Sequence, residues 1–74
     1  MKITVKLFAT FQKGRFTIEE REYAAGTQVG QIAAELQIPE ADLGIVMVNS
    51  RHVKLDRELV DGDTLALFPL VGGG

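Results

Sequence analysis

The residues of this 74-residue chain with the clearest chemical potential are its last three, Gly72, Gly73 and Gly74. Glycine has the largest backbone entropy and no side chain to pack, so a glycine tail does not serve stability. It suits the delivery of a terminal carboxylate into a narrow slot of another protein, where any Cβ would collide. Residues 69–74 extend to about 20 Å, which is enough to reach from a domain surface into a buried site.

The carboxylate of Gly74 needs activation before it can react. Its pKa is near 3.5, so it is ionised at neutral pH and resists nucleophilic attack. The simplest activated form is an acyl-adenylate made from ATP. The sequence has no phosphate-binding loop, no cysteine and no nucleophile–base set, so this step is expected in a partner enzyme. The chain is therefore predicted to be a co-substrate, not an enzyme, with no bound cofactor; a frayed terminus is the alternative.

The other polar candidates favour structural roles. His52 is the only histidine and has no neighbours that would make it a catalytic base. Asp61 and Asp63 flank Gly62 in a typical turn, so no metal site is predicted. Scattered surface charge is the preferred interpretation of five basic residues, with a patch for an acidic partner as the alternative: Lys13, Arg15, Arg51, Lys54 and Arg57.

Composition is typical of one small globular domain. A chain of this length buries only about 60% of its unfolded surface, and 46% apolar residues can supply the core. A net charge of −2, with both signs mixed along the chain, argues against a nucleic-acid partner. No segment resembles a signal peptide or approaches the roughly 20 apolar residues of a membrane span. A cytoplasmic protein without membrane contact is expected.

Period-two alternation predicts a first strand with Ile3, Val5 and Leu7 facing a core. A second strand is expected from near Phe16, with Phe16 and Ile18 on one face, as an edge strand or with a bulge.

A helix is predicted next, with Thr27 as its N-cap. Its apolar stripe consists of Val29, Ile32, Ala33 and Leu36. Pro39 ends it, with Ile38 as an anchor beneath.

Three short strands are predicted at residues 45–48, 52–53 and 64–68, the first closed by an Asn49-Ser50 turn. In the last one Leu65 and Leu67 should point inward, and Pro69 should end the strand. One helix over one mixed sheet gives an α+β two-layer domain.

Four segments in this order resemble the MoaD/ThiS family of ubiquitin-like sulfur carriers: Lys6–Ala9, Val48–Ser50, Asp61–Asp63 and Leu67–Gly74. Within the family, the Leu-Phe-Ala near the start and the Phe-Pro before the tail more closely resemble MoaD, the small subunit of molybdopterin synthase. The resemblance implies a β-grasp fold, with a mixed sheet of about four to five strands on one main helix. The first and last strands would be parallel neighbours. The domain would span residues 1–69, with a flexible tail at 70–74.

The resemblance also implies a mechanism. An E1-like adenylating enzyme would use ATP to activate Gly74, which would become a thiocarboxylate, while Gly72 and Gly73 thread the tail into the partner. The sulfur acceptor would be the molybdenum- or tungsten-cofactor precursor handled by the large subunit of molybdopterin synthase. A ThiS-type carrier for thiamine thiazole, a modifier conjugated to lysines through Gly74 and an inert β-grasp interaction module are the alternatives.

Strand parity predicts where a partner binds. With Leu7 and Leu67 pointing inward, Phe8 and Phe68 fall on the outward register of two strands that the family places side by side. Leu70 and Val71 would extend this apolar surface along the tail. A core position for Phe8 is the alternative. Phe8, Phe68, Leu70 and Val71 are therefore predicted to contact the partner.

Overall fold

A computed structural model describes residues 1–70, which form one α-helix and five β-strands. In chain order these are β1 (Lys2–Leu7), β2 (Ile18–Glu22), α1 (Val29–Glu35), β3 (Leu43–Val48), β4 (Arg51–His52) and β5 (Thr64–Pro69). Short 3₁₀ turns occupy Ala9–Gln12 and Glu40–Asp42. The strands form one mixed sheet in the order β2-β1-β5-β3-β4.

Strands β1 and β5 lie at the centre of the sheet and run parallel, as the family resemblance implied. The predicted alternation is confirmed, since Ile3, Val5 and Leu7 are fully buried. Leu65 and Leu67 are equally buried and pair with Val5 and Leu7. Each buried side chain of this size stabilises the fold by about 1.5–3 kcal/mol. The central pair therefore fixes the core and, with it, the position where the tail begins.

The predicted stripe forms the core-facing side of α1: Val29, Ile32 and Ala33 are buried, and Leu36 packs against them. The predicted N-cap was wrong, because the helix begins after Gln28 rather than Thr27. The Gln28 N–H donates to Gln31 Oε1 at 2.7 Å, as in a capping box. The Thr27 hydroxyl is occupied in the preceding turn, where it donates to the carbonyl of Ala24.

Strand β2 is an edge strand, as predicted, but its first residues face differently from the prediction. Ile18 pairs with Lys6 and is 56% exposed. Phe16 lies before the strand and packs against the core. The prediction that Phe16 and Ile18 share a face was wrong, because strand β2 begins only at Ile18 and strand alternation does not extend back to Phe16.

The turn between β3 and β4 is tied to the start of β5. Asn49 and Ser50 have φ of 51° and 68°, which is the left-handed backbone of a tight hairpin turn. Asn49 Nδ2 donates to Asp63 Oδ1, and the Thr64 N–H donates to Asn49 Oδ1, both at 2.9 Å. Asp63 is buried, and its other carboxylate oxygen accepts a hydrogen bond from the Val60 N–H. This network supports the structural interpretation of Asp63.

One helix packed on a five-stranded mixed sheet, with the first and last strands parallel at its centre, is the predicted α+β, β-grasp arrangement. Within residues 1–70, no helix has the length and apolar character needed to cross a membrane.

Candidate functional site

Part of the predicted site lies outside the described residues, namely Val71, Gly72, Gly73 and Gly74. The structure does describe where the tail begins. Strand β5 ends at Pro69, and Leu70 after it is 59% exposed. The Leu70 N–H donates to the carbonyl of Asp42 at 2.8 Å. The tail therefore starts against the 3₁₀ turn that leads into β3.

Phe8 and Phe68 lie together beside the start of the tail. Their ring centroids are 4.1 Å apart and their planes differ by 10°, so the rings are stacked. The Phe8 N–H donates to the carbonyl of Leu67 at 3.2 Å, which extends the parallel pairing one residue beyond β1. Both residues are half-buried. The rings therefore support each other and still present surface to solvent.

Ala9 turns the chain directly after Phe8. Its φ of 50° lies in the left-handed region, which costs a non-glycine residue roughly 1–2 kcal/mol. The following 3₁₀ turn closes with a hydrogen bond from the Phe11 N–H to the carbonyl of Phe8, at 3.1 Å. Phe11 is buried. The strained residue thus separates one phenylalanine that serves the core from one that serves the surface.

Ile45 on β3 completes an apolar groove beside the stacked rings. It pairs with Phe68 and is 41% exposed. The groove encloses about 250 Å³, and its lining consists of Phe8, Ala9, Gly44, Ile45, Phe68, Pro69 and Leu70. We refer to it as the root groove.

The sequence interpretation missed four residues of the root groove: Ala9, Gly44, Ile45 and Pro69. Residues 45–48 form an uninterrupted apolar run, so no alternation shows which side chains face outward. Only the register decides this, because Val46 pairs with the buried Leu67 and Ile45 must therefore face the other way. No local sequence signal marks the backbone of Ala9.

The root groove contains no ionisable side chain, so a partner would bind there by apolar contact. The perturbed groups lie at the other end of β1, where the Tyr23 N–H donates to the carbonyl of Met1. Burial raises the pKa of Tyr23 to about 12, and the hydrogen bond to Glu35 acts in the same direction. The hydrogen bond from Arg21 to Tyr23 raises the pKa of Arg21.

His52 is exposed on β4, where it pairs with Met47. No group of three or more acidic or histidine side chains in the described part of the chain is arranged to hold a metal.

At the start of the tail, residues 1–70 form an exposed apolar surface. A partner bound in the root groove lies directly beside Leu70. An exposed apolar groove on so small a domain is typical of an interface.

Comparison with known proteins gives a consistent result. Residues 5–74 match the model of the ThiS family. No match was found among curated proteins. A putative molybdopterin converting factor, subunit 1, from Pyrococcus furiosus is 32% identical, over 96% of this chain and 99% of that chain, with a TM-score of 0.77.

Two further solved structures share the fold at lower identity. Haloferax volcanii small archaeal modifier protein 1 is 22% identical over 95% of this chain and 98% of its own, with a TM-score of 0.76. A chain from the complex of subunits 1 and 2 of molybdopterin-converting factor from Helicobacter pylori 26695 is also 22% identical. That match covers 100% of both chains with a TM-score of 0.67.

Proposed function

Since the chain belongs to the ThiS family, we propose that it is a ubiquitin-like sulfur carrier whose Gly74 carboxylate receives sulfur and passes it to an acceptor. The observation that carries the proposal is the extent of the family match. It runs through Gly72, Gly73 and Gly74 and therefore includes the glycine tail itself.

The proposed chemistry begins on an E1-like adenylating enzyme, which binds the ATP. A carboxylate oxygen of Gly74 attacks the α-phosphorus of ATP and releases pyrophosphate, which gives an acyl-adenylate. Hydrosulfide supplied by a partner then attacks the acyl carbon, so that a C–S bond forms, the C–O bond to AMP breaks and the sulfur loses its proton. The product is a thiocarboxylate. The carrier acts in this scheme as a co-substrate, and as the small subunit of a sulfurtransferase complex.

The two parts of the molecule have different roles in this proposal. The root groove binds the partner by apolar contact, with the stacked Phe8 and Phe68 at its centre. Gly72 and Gly73 carry no side chains, so they fit a narrow channel and bring the Gly74 carboxylate to the reacting atoms. Leu70 and Val71 connect the two parts and contact the partner where the tail leaves the domain.

We infer that the acceptor system is molybdopterin synthesis in the cytoplasm, with the synthase large subunit as the second partner. The support is the 32% identity to a putative molybdopterin converting factor subunit over nearly the whole of both chains. The Helicobacter pylori structure, which shares the fold, is a complex of subunits 1 and 2 of that factor. A ThiS-type role in thiazole synthesis is the alternative.

The intact mass of the protein purified from its native cell tests the proposal. A carrier should show a fraction that is heavier by about 16 Da, the difference between sulfur and oxygen. The same protein from cells that lack the E1-like enzyme should have only the unmodified mass. Higher-mass conjugates to lysines would identify a modifier instead, and neither species would identify an inert module. The two pathways are separated by comparing sulfur transfer from the loaded protein to purified molybdopterin synthase large subunit with sulfur transfer to purified thiazole synthase.

A further inference from the structure

Strand β3 contains a glycine at the point where it meets the start of the tail. Leu43 pairs with Pro69 and Ile45 pairs with Phe68, so Gly44 is the extra residue of a β-bulge. A Cβ on Gly44 would lie 2.7 Å from the Pro69 carbonyl oxygen, 2.8 Å from Leu70 Cα and 2.9 Å from Leu70 N. These are backbone atoms, which cannot rotate away as the end of a side chain can. Any larger residue at 44 must therefore displace the start of the tail.

Backbone conformation does not explain this glycine. Within residues 1–70, the glycines with positive φ are Gly14, Gly26 and Gly62, and Gly44 is not among them. The φ of residue 44 therefore lies outside the left-handed region that disfavours alanine. What the glycine provides is close approach between two chain segments, which is one of the recognised uses of glycine within strands.

The close approach is accompanied by the hydrogen bond from the Leu70 N–H to the carbonyl of Asp42, at 2.8 Å. Pro69 has no N–H to donate, so this bond is the first that the chain can make after the end of β5. The Leu70 side chain is 59% exposed and does not hold its backbone in place. The direction of the chain at Leu70 thus depends on the contact with residues 42–44.

We propose that Gly44 is a positioning residue for the transfer chemistry. Together with Asp42, Pro69 and Leu70 it forms a tail-root clamp, which sets the direction in which the tail leaves the sheet relative to the root groove. This inference rests on the proposed function, because it assumes that the Gly74 carboxylate must reach an active site in a partner bound at the groove.

The geometry explains why direction matters. When the partner holds the tail extended, the four residues from Val71 to Gly74 span at most about 14 Å, so a change of about 10° at Leu70 then misplaces the far end by about 2 Å. Misplacement of a reacting group by about 1 Å can lower the rate of a chemical step by about 100-fold. Binding at the root groove, in contrast, is centred on the stacked Phe8 and Phe68, neither of which supplies one of the three atoms closest to a Cβ at residue 44.

The test compares Gly44→Ala with Gly62→Ala. Both substitutions add one methyl group, but a Cβ at Gly62 would have no atom within 4 Å. Because the φ of Gly62 is 89°, Gly62→Ala strains the backbone of a turn at the other end of β5. In Gly44→Ala the Leu70 amide should exchange with solvent roughly tenfold faster, while in Gly62→Ala it should keep its protection relative to the core amides. With the activating enzyme, ATP–pyrophosphate exchange should show kcat lowered by about tenfold or more for Gly44→Ala, with KM changed less than about threefold.

Pro69→Gly supplies a second variant, which loosens the clamp from the tail side by removing the proline ring and adds no heavy atom. It should show the same faster Leu70 exchange and the same fall in kcat. Unchanged Leu70 exchange in Gly44→Ala, or unchanged kcat, overturns the inference. If the wild-type protein is not activated by any adenylating enzyme, the proposed function fails, and Leu70 exchange alone then decides whether the clamp exists.

Discussion

The rings of Phe8 and Phe68 serve the fold and the surface together, because each is half-buried against the other. Strand parity predicted that both would emerge on the open face of the sheet, and the alternative core position for Phe8 was wrong. Their stacking means, however, that they are not simple surface residues either. Substitution at either ring should therefore affect stability and binding, in different proportions.

The first prediction separates these two effects. Phe68→Ala loses the stacking energy of about 0.5–1.5 kcal/mol and some buried area, so we expect the free energy of unfolding to fall by about 1–2 kcal/mol. Binding to the E1-like enzyme should weaken at least about thirty-fold, or about 2 kcal/mol. Urea denaturation and calorimetric titration measure the two quantities.

The matched control is Phe11→Ala, which removes a phenyl ring of the same size from the core, where Phe11 is only 6% exposed. Its free energy of unfolding should fall by about 3–5 kcal/mol. An equally large loss of stability in Phe68→Ala would show that the ring acts mainly in the core.

The second prediction concerns Gly74. Its deletion removes no side chain, so the free energy of unfolding should change by less than about 0.5 kcal/mol. The new carboxylate would end about 3.5 Å short of the reacting position, so adenylation and sulfur loading should be lost. Pyrophosphate exchange and intact mass measure this loss. Extension by one alanine is the matched variant with the opposite error in length and should be equally inactive. A shortened protein that still gained sulfur would contradict the assignment of Gly74.

At the scale of elements, the edge strand β2 is attached to α1 through side chains. The Tyr23 hydroxyl donates to Glu35 Oε1 at 2.7 Å and accepts from Arg21 Nε at 2.8 Å. Arg21 also contacts Glu35, and its guanidinium lies over the Phe16 ring at 5.5 Å. This cluster joins the two layers at the end of β1 opposite the root groove.

The third prediction is the titration of Tyr23. The chain has no other tyrosine and no tryptophan, so phenolate absorbance reports this residue alone. We expect a pKa of about 12 in the folded protein and about 10 in the unfolded chain. Because the folded-state pKa is higher, the unfolded chain releases its proton first as pH rises. The contribution of Tyr23 to stability is therefore complete below about pH 10 and is lost between about pH 10 and 12.

Tyr23→Phe is the control, since phenylalanine keeps the ring and cannot ionise. Between pH 10 and 12 its free energy of unfolding should fall less than that of the wild-type protein. Equal losses in the two proteins, or a folded-state titration at the unfolded pKa, would show that the hydroxyl is not held in this cluster.

At the scale of the whole molecule, the two ends of the sheet have different roles. One end carries the Tyr23 cluster and the turn at residues 61–63, which are structural. The other carries the root groove and the start of the tail, which are proposed to bind and deliver.

The fourth prediction is the position at which order ends along the chain. The Leu70 N–H donates to the carbonyl of Asp42, so backbone order parameters should remain at about 0.85 through Leu70. For Gly72, Gly73 and Gly74, the run of glycines in the sequence predicts order parameters below about 0.6. NMR relaxation on the labelled protein measures this. Values at Gly73 as high as in the strands would contradict a flexible tail, and low values at Leu70 would contradict the clamp.

Local sequence determined much of this protein. The alternation at Ile3, Val5 and Leu7 and the stripe of α1 identified the elements and their buried faces, because periodicity follows directly from strand and helix geometry. The glycine tail indicated a chemical task, since residues without side chains add nothing to packing. The β-grasp arrangement and the pairing of β1 with β5 came from the family resemblance and are confirmed.

Tertiary structure decided the rest. Ile45 faces outward because of its register with Phe68, which an unbroken apolar run cannot reveal. Gln28 rather than Thr27 caps α1 because Gln28 still pairs with Glu58 in an isolated β-bridge and the helical backbone begins only at Val29. Gly44 has meaning only through its contact with Pro69 and Leu70, 25 and 26 positions later in the sequence. Such contacts depend on which segments the fold brings together, and no pattern within a short stretch of sequence records them.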